Sequence, residues 1–162
     1  MARAGELRAL DPRRREPASG PGGPFQRILV PVDSFGWSNA ALAAAIRVGD
    51  KVNGQLRVVH VRTWDPPGRF FFETFAEATS VVDSALAGAW ARGAQASGVV
   101  IDAPRTQTAA MIAREAAEWG AEVIVLTRRP RTALGILLCG SVSEQVMRKA
   151  AGPVLVVRRR RR

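Results

Sequence analysis

The stretch VIVLTRRPRTALGILLCGSVSEQVMRKAAGPVLVV, residues 123–157, decides the fold of this chain. It starts with a short β-branched apolar run at residues 123–126, which is typical of a strand buried in a parallel sheet. A loop follows and ends at Gly140 and Ser141. A helix is predicted to begin there, because Ser141 and Glu144 have the S-x-x-E spacing of a capping box.

The end of this helix and the strand after it are equally well marked. Gly152 and Pro153 are expected to stop the helix, and Val154–Val157 is predicted to be the next strand. A strand whose exit loop meets a helix start at Gly140 and Ser141 favours an anion site, because free amides and the positive helix end face the same point.

The rest of the chain alternates predicted strands and helices in the same way. Five strands alternating with four helices predict one α/β, Rossmann-like domain, with a parallel sheet covered by helices on both faces. Ligands of such sheets bind beyond the carboxyl ends of the strands, where the strand order reverses. The other predicted strands are residues 26–32, 55–61 and 99–103, and residues 62–69 are a predicted loop. The other predicted helices start at Ser38 or Asn39, at Phe71, and at Thr106 or Thr108, and end near Lys51, Ser97 and Gly120.

The net charge of +10 lies mainly at the two ends of the chain. Residues 1–24 carry five Arg and three acidic residues, residues 158–162 are five Arg, and residues 25–157 carry 14 basic and 11 acidic residues. Residues 1–24 mix Arg, Pro and Gly without an apolar period, so they are predicted to be a disordered tail before a domain at residues 25–157. Nucleic-acid binding is therefore not expected, and nonspecific phosphate contact by the tail at residues 158–162 is kept as an alternative.

Several classes of protein are excluded by composition. No apolar run reaches the ~18 residues that span a bilayer, and the start of the chain has no apolar signal region, so a cytoplasmic protein is expected. The single Cys139 cannot form an intramolecular disulfide. One Cys and one His fall short of a metal-ligand cluster, so no metal site is predicted.

Four features together resemble the universal stress protein family: residues 26–33, the strand with Val59, His60 and Val61, the long second predicted helix, and above all LLCGSVSEQVMRKAAGPVLVVR at residues 137–158. The resemblance covers residues 25–158. It implies a sheet of five parallel strands in the order 3-2-1-4-5 and a stress-response binding or regulatory module without catalytic turnover. It also implies a homodimer formed through the last strand, which is Val154, Leu155, Val156 and Val157.

The family's nucleotide site can be placed on this chain by the resemblance. Nucleotide-binding members carry G-x-x-G, nine further residues and then G-S or G-T, with an Asp after the first strand and adenine contacts at the end of the second. The matching positions here are Asp33, Val61, Leu126, Thr127, Gly140, Ser141 and Val142.

The proximal half of that motif is not kept, because Thr127 and Pro130 stand where the two glycines belong. Proline has φ fixed near −65° and no N–H to donate. Losing one amide-to-phosphate hydrogen bond costs ~1.5–3 kcal/mol, so ATP binding is expected to be impaired or absent, and no cofactor is required. Alternatively, Arg128, Arg129 and Arg131 supply phosphate donors, and the protein is a weak ATP-binding switch that hydrolyses ATP slowly.

Four further features have competing interpretations. Asp33 is either a ribose or adenine contact or an Asx-type turn residue. His60 is expected to be a packed core residue, because no carboxylate has a claim in the sequence to partner it. Ser141 is expected to cap a helix and not to act as a nucleophile. The three rings of residues 70–72 cannot all face one core, so they serve core and cap packing or a partner surface.

Overall fold

The fold is described from a computed structural model, which defines residues 5–7, 24–68, 70–127 and 142–158. Within these residues, seven strands and four α-helices alternate along the chain, with one 3₁₀ turn. In chain order they are β1 (Gly5–Leu7), β2 (Arg27–Pro31), α1 (Asn39–Val52), β3 (Gln55–Asp65), β4 (Phe70–Phe71), α2 (Phe75–Trp90), β5 (Gln95–Pro104), the 3₁₀ turn Arg105–Gln107, α3 (Thr108–Trp119), β6 (Val123–Thr127), α4 (Val142–Lys149) and β7 (Val154–Val157).

Five of the strands are parallel and confirm the predicted order. They lie side by side as β5-β3-β2-β6-β7, which is 3-2-1-4-5 when only these five strands are numbered. The sheet as a whole is mixed and not purely parallel, because β1 pairs antiparallel with β5 and β4 pairs antiparallel with β3. Strand β1 lies inside the segment predicted to be disordered, so that prediction is wrong for Gly5–Leu7; the remainder of the segment up to residue 23 lies outside the described residues.

The core has two layers, one on each face of the sheet. Along β2, Ile28 and Val30 pack into the cluster that α1 and α2 complete, while Leu29 packs into the cluster on the α3 and α4 side. All three are fully buried. Burial on both faces explains why this strand is a continuous apolar run in the sequence.

The predicted helix over residues 71–97 is wrong at both ends. Phe71 belongs to β4, and the helix begins only after Thr74, whose side chain and backbone make a complete capping box with Glu77. At the other end, Gly98 does not end the helix but lies in β5, where α2 approaches the sheet so closely that a Cβ on Gly98 would overlap the Val82 side chain. The glycine therefore marks close packing of helix on strand.

The loop predicted at residues 62–69 is also wrong in its first half. Strand β3 continues to Asp65, because β5 pairs with it as far as Trp64 and β4 pairs with its last two residues. Strand β5 is correspondingly longer than predicted. Both strands therefore extend beyond the buried part of the sheet at its carboxyl edge.

The ends of α1 and α3 follow the predictions in different degrees. Gly120 ends α3 with φ +71°, the left-handed conformation that glycine adopts without strain. Ser38 is the residue before α1, but its hydroxyl makes no hydrogen bond to the helix. It accepts instead from the N–H of Asp33, at 3.1 Å.

Among the described residues, no helix has the length and hydropathy needed to cross a bilayer.

Candidate functional site

The strand order reverses between β2 and β6, and this places the candidate site. The chain leaves β2 towards α1 on one face of the sheet and leaves β6 towards α4 on the other. A crevice opens at such a point, beyond the carboxyl ends of the strands. The described candidates at or beside this edge are Asp33, Val61, Leu126, Thr127 and Val142; Gly140, Ser141, Arg128, Arg129 and Arg131 lie outside the described residues, as does Pro130.

Asp33 organises the loop between β2 and α1. Its Oδ1 accepts hydrogen bonds from the N–H groups of Phe35, at 3.0 Å, and Trp37, at 3.1 Å. This is an Asx-type turn, in which a carboxylate holds the backbone just after it. Of the two interpretations of Asp33, the structure therefore contains the turn, and contact with a ribose or adenine stays a prediction.

A cleft of about 480 Å³ lies beside this loop, between α1 and α2. Asp33 and Ser34 line its upper end, Ile46 and Val81 line its apolar walls, and Arg92 lies among its lining residues. The volume falls within the range of ~300–1,000 Å³ that small-molecule sites occupy. The loop held by Asp33 therefore forms part of the wall of an open space.

Thr127 connects the two helices that flank the crevice. Its Oγ1 accepts a hydrogen bond from the N–H of Ala41, at 3.1 Å, and its carbonyl accepts from the hydroxyl of Ser143, also at 3.1 Å. Ala41 is the third residue of α1, and its N–H has no partner within the helix, so Thr127 supplies the cap that Ser38 does not. Thr127, which stands at a position predicted to be glycine by the family resemblance, thus caps α1 although it lies 86 positions after Ala41.

The other matching positions differ in exposure. Val61 and Leu126 are buried, and both belong to the apolar cluster on the α3 and α4 side. Val142, the first residue of α4, is 44% exposed. The carboxyl edge therefore combines buried apolar residues of β3 and β6 with an exposed first residue of α4.

A buried histidine–glutamate pair lies at the same edge, and the sequence did not reveal it. His60 is 4% exposed, as expected of a core residue, but the prediction that it has no carboxylate partner is wrong. Its Nε2 lies 2.7 Å from Oε1 of Glu73, and its Nδ1 lies 2.9 Å from the carbonyl oxygen of Val32. Because 13 residues separate His60 and Glu73, only the path of β4 in space brings them together.

Arg62 of β3 lies next along this edge, on the side towards β5. Arg62 makes a bidentate pair with Asp102, at 2.7 and 2.5 Å, and its guanidinium lies 3.9 Å above the ring centre of Phe71. The hydrogen bonds that Arg62 donates to Asp102 raise the pKa of Arg62 above its ordinary value, although desolvation opposes the rise. Arg62 is therefore a fixed positive charge at this edge.

The three phenylalanines at residues 70–72, in and just after β4, are only partly buried. Phe71 lies under Arg62, whereas Phe70 is 79% and Phe72 is 65% exposed. Arg105 lies over Phe72, with 5.6 Å from its guanidinium carbon to the ring centre, and forms an ion pair with Asp65. Phe71 is therefore half-buried against Arg62, and the other two rings are exposed. In the described part of the chain, no group of three His, Cys, Asp or Glu side chains is placed to hold a metal ion.

Comparison with known proteins agrees with this geometry. The model of the universal stress protein family matches residues 24–158. A universal stress protein from Archaeoglobus fulgidus is 27% identical, with a TM-score of 0.67 over 82% of this chain and 98% of that one. A family member from Burkholderia pseudomallei is 26% identical, with a TM-score of 0.64 over 85% and 98% of the two chains.

A third structure holds a ligand. It is a universal stress protein from Archaeoglobus fulgidus in complex with dAMP, 25% identical, with a TM-score of 0.64 over 82% of this chain and 97% of that one. None of the curated proteins compared with this chain matches it. The family match spans both core layers and the carboxyl edge just described, and the chain therefore belongs to the universal stress protein family.

Proposed function

We propose that this protein is a stress-response regulatory module that does not turn over a substrate and whose ATP binding is weak or absent. The observation that carries the proposal is the hydrogen bond from Ala41 to the Thr127 hydroxyl, at 3.1 Å. The family resemblance implies a glycine at position 127, next to the nucleotide. In this chain a threonine side chain lies there, and it already bonds the start of α1.

Two effects at the exit of β6 act against a triphosphate. A threonine Cβ and hydroxyl occupy space next to the start of α1, and moving them would leave the buried N–H of Ala41 without a partner, at a cost of ~1–3 kcal/mol. Pro130 has no N–H to offer a phosphate. A loss of ~1.4 kcal/mol is a tenfold loss in affinity, so together these effects are expected to weaken ATP binding by one to several powers of ten.

The residues that depart from the family pattern, Thr127 and Pro130, belong to the phosphate half of the site. The proposal therefore distinguishes nucleotides by the number of their phosphates. The resemblance assigns the base and ribose half to Asp33 and Val61, and at these positions the sequence keeps the family pattern. The relative in complex with dAMP indicates that a monophosphate fits a site of this kind. We therefore expect this chain to bind dAMP at least as tightly as it binds ATP.

Calorimetric titration of the purified protein with ATP and with dAMP tests the proposal. Extraction of any nucleotide that co-purifies provides a second readout. The expected result is no ATP binding, or millimolar binding, with dAMP equal or tighter. Micromolar ATP binding would overturn the proposal and favour the ATP switch that uses the loop arginines.

A cytoplasmic homodimer formed through β7 is part of the same proposal. Strand β7 ends the sheet, with β6 on one side, and Leu155 in this strand is 43% exposed. An uncovered strand edge with an apolar side chain favours pairing with a second copy. Light scattering on a sizing column is expected to give twice the chain mass of 17.4 kDa, and to give the single mass for Leu155→Lys. A wild-type monomer at all concentrations would contradict this part.

A further inference from the structure

Strand β1 lies at one end of the sheet, and the proposed function makes no use of it. It has only three residues, whereas its neighbour β5 has ten. The two strands pair antiparallel, with Gly5 opposite Val100 and Leu7 opposite Gly98. If β1 were removed, the outer side of β5 would be a strand edge to which another strand can hydrogen-bond.

The direction of the backbone groups in β5 follows from the bonds of β3. The N–H of Gln55 and the carbonyl of Val59 both bond towards the β2 side. Backbone groups of alternate residues point to opposite sides of a strand, so the odd-numbered residues of β3 face β2 and the even-numbered ones face β5. In the parallel register of β3 with β5, the odd-numbered residues of β5 then bond to β3, and the even-numbered ones point outwards.

Two different elements cover these outward groups. Near the start of β5, the indole Nε1 of Trp90 donates to the carbonyl of Ala96 at 3.2 Å, as the alternation requires of an even-numbered residue. Further along, Gly98 and Val100 face β1, and by the same alternation they form hydrogen-bonded pairs with it. We call the outer side of residues 98–100 the β5 edge. The short strand β1 thus covers the β5 edge.

The register of β1 is the one that a second copy of β5 would have. A second β5, related to the first by a two-fold axis at Val99, would place its Gly98 opposite Val100 and its Val100 opposite Gly98. Gly5 occupies the first of these places and Leu7 the second. The sequence Gly-Glu-Leu of β1 therefore stands where Gly-Val-Val of a second copy would stand, with the glycine and the last aliphatic residue in the same order.

We propose that the β5 edge is a self-association surface whose partner is the same edge of a second copy, and that β1 keeps it closed by occupying the place of that partner. The sequence of β1 suits this role. A strand of three residues with a charged residue, Glu6, at its centre is a poor template for a further strand. The inference does not rest on the proposed function.

Loss of β1 from the sheet changes how many copies can join. With β1 in place, β7 is the end of the sheet at which the proposed homodimer forms. Without β1, the β5 edge is open as well, and each chain has two different two-fold contact surfaces at opposite ends of its sheet. Such a chain adds further copies in a row instead of stopping at two.

Proline substitutions in the full chain test which side of β1 matters. The double variant Gly5→Pro with Leu7→Pro places a ring where each N–H faces β5, so β1 is expected to leave the sheet. Glu6→Pro is the control, because the N–H of Glu6 points away from β5 and an edge strand accepts proline at such a position. Glu6→Gln controls for the charge that Glu6→Pro removes.

Light scattering on a sizing column, over a range of protein concentrations, is the first measurement. Leu155→Lys is added to every variant so that β7 does not contribute. We expect the double variant to change from the chain mass of 17.4 kDa to twice that mass as concentration rises. Glu6→Pro and Glu6→Gln are expected to keep the single mass. The single mass for the double variant at all concentrations, or equal association in Glu6→Pro, would overturn the proposal.

Hydrogen exchange at a concentration that gives the single mass is the second measurement. In the double variant, the amides of Gly98 and Val100 should exchange about tenfold faster or more, because each loses its acceptor in β1. The amides of Val99 and Ile101 face β3 and should stay slow, which shows that the sheet is still folded. Unchanged exchange at Gly98 and Val100 would overturn the role of β1. Faster exchange without any association would overturn a second copy as the partner.

The same variants without Leu155→Lys separate this inference from the proposed homodimer. If both are right, wild type has twice the chain mass and the double variant forms larger species. If wild type has the single mass and the double variant reaches twice that mass, the β7 dimer fails and the β5 edge stands. If the double variant keeps the mass of wild type at all concentrations, the β5 edge fails and the homodimer is judged by wild type alone.

Discussion

Strand β3 carries two arginine–carboxylate pairs, and they differ in where they lie. Arg57 is in the middle of the sheet, and its Nε donates to Glu115 of α3 at 2.9 Å, with each side chain only 10% exposed. Arg62 is at the carboxyl edge, where its pair with Asp102 is more exposed and a phenyl ring covers one face. The inner pair ties a helix to the sheet, whereas the outer pair shapes the edge at which a ligand arrives.

The two pairs differ in how much free energy the loss of one partner should cost, because they differ in burial. A buried charge that loses its partner is costly, because nothing in the interior replaces the lost hydration. At the edge, water reaches the remaining group and reduces the cost. Stability should therefore respond most to the inner pair, while local order around the candidate site should respond most to the outer contacts.

Breaking the inner pair should have the largest effect. Glu115→Gln removes the buried carboxylate that accepts the hydrogen bond from Nε of Arg57, and the expected loss is about 3–5 kcal/mol of unfolding free energy. Urea denaturation followed by circular dichroism measures it. The double variant Arg57→Met with Glu115→Leu is the control, because replacing both charges by apolar groups should restore most of the loss. A loss below about 1 kcal/mol in the single variant would contradict the assigned role.

Thr127→Val should have the next largest effect. Valine keeps the shape of threonine but cannot accept the hydrogen bond from Ala41, so a buried N–H loses its partner. The expected loss is about 1–3 kcal/mol. Thr127→Ser keeps a hydroxyl and should lose clearly less. Equal losses in the two variants would show that the methyl group, and not the cap, is what matters.

Breaking the outer pair should cost about 1 kcal/mol, because Asp102 is 27% exposed and water can take its place beside the guanidinium of Arg62, whose own side chain is 13% exposed. The change is Asp102→Asn, and its clearer readout is local. The N–H of Phe72 donates to the carbonyl of Thr63, the residue after Arg62, at 3.2 Å. Hydrogen exchange at Phe72 should speed up by more than exchange in β2. Uniform acceleration in both places would refute the local role.

A fully surface pair gives the lower limit of the series. Arg114 and Glu118 of α3 form an ion pair one helical turn apart, with side chains 64% and 57% exposed. Arg114→Ala should leave the midpoint of the same urea titration unchanged within the error of the measurement. A loss as large as that of Glu115→Gln would mean that burial does not decide the strength of these pairs.

The sequence predicted the architecture well because the relevant signals are local. Apolar runs, the Gly152 and Pro153 stop and Gly120 all depend on neighbouring residues. The five parallel strands and the positions of α1, α3 and β7 agree with those local signals, and the order 3-2-1-4-5 agrees with what the family resemblance implies. The errors occur where a distant partner decides, as when pairing with β3 turns Phe71 from helix into strand.

The candidate site shows the same limit more strongly. The sequence placed Asp33 after one predicted strand and Thr127 after another, but it could not show that Thr127 caps a helix that begins 88 positions earlier, at Asn39. Nor could it show that His60 meets Glu73. A glutamate two residues after β4 was the available signal, and its meaning depended on the antiparallel turn that carries it back over β3.

The central claim is that Thr127, at the end of β6, bonds the start of α1 and so prevents the phosphates of ATP from binding there. A crystal structure determined from crystals soaked in excess ATP tests it most directly. The account predicts that the Thr127 hydroxyl still accepts from Ala41 and that no ordered triphosphate lies against β6 and Pro130. Ordered phosphates in that position, with Thr127 turned away from α1, would contradict it.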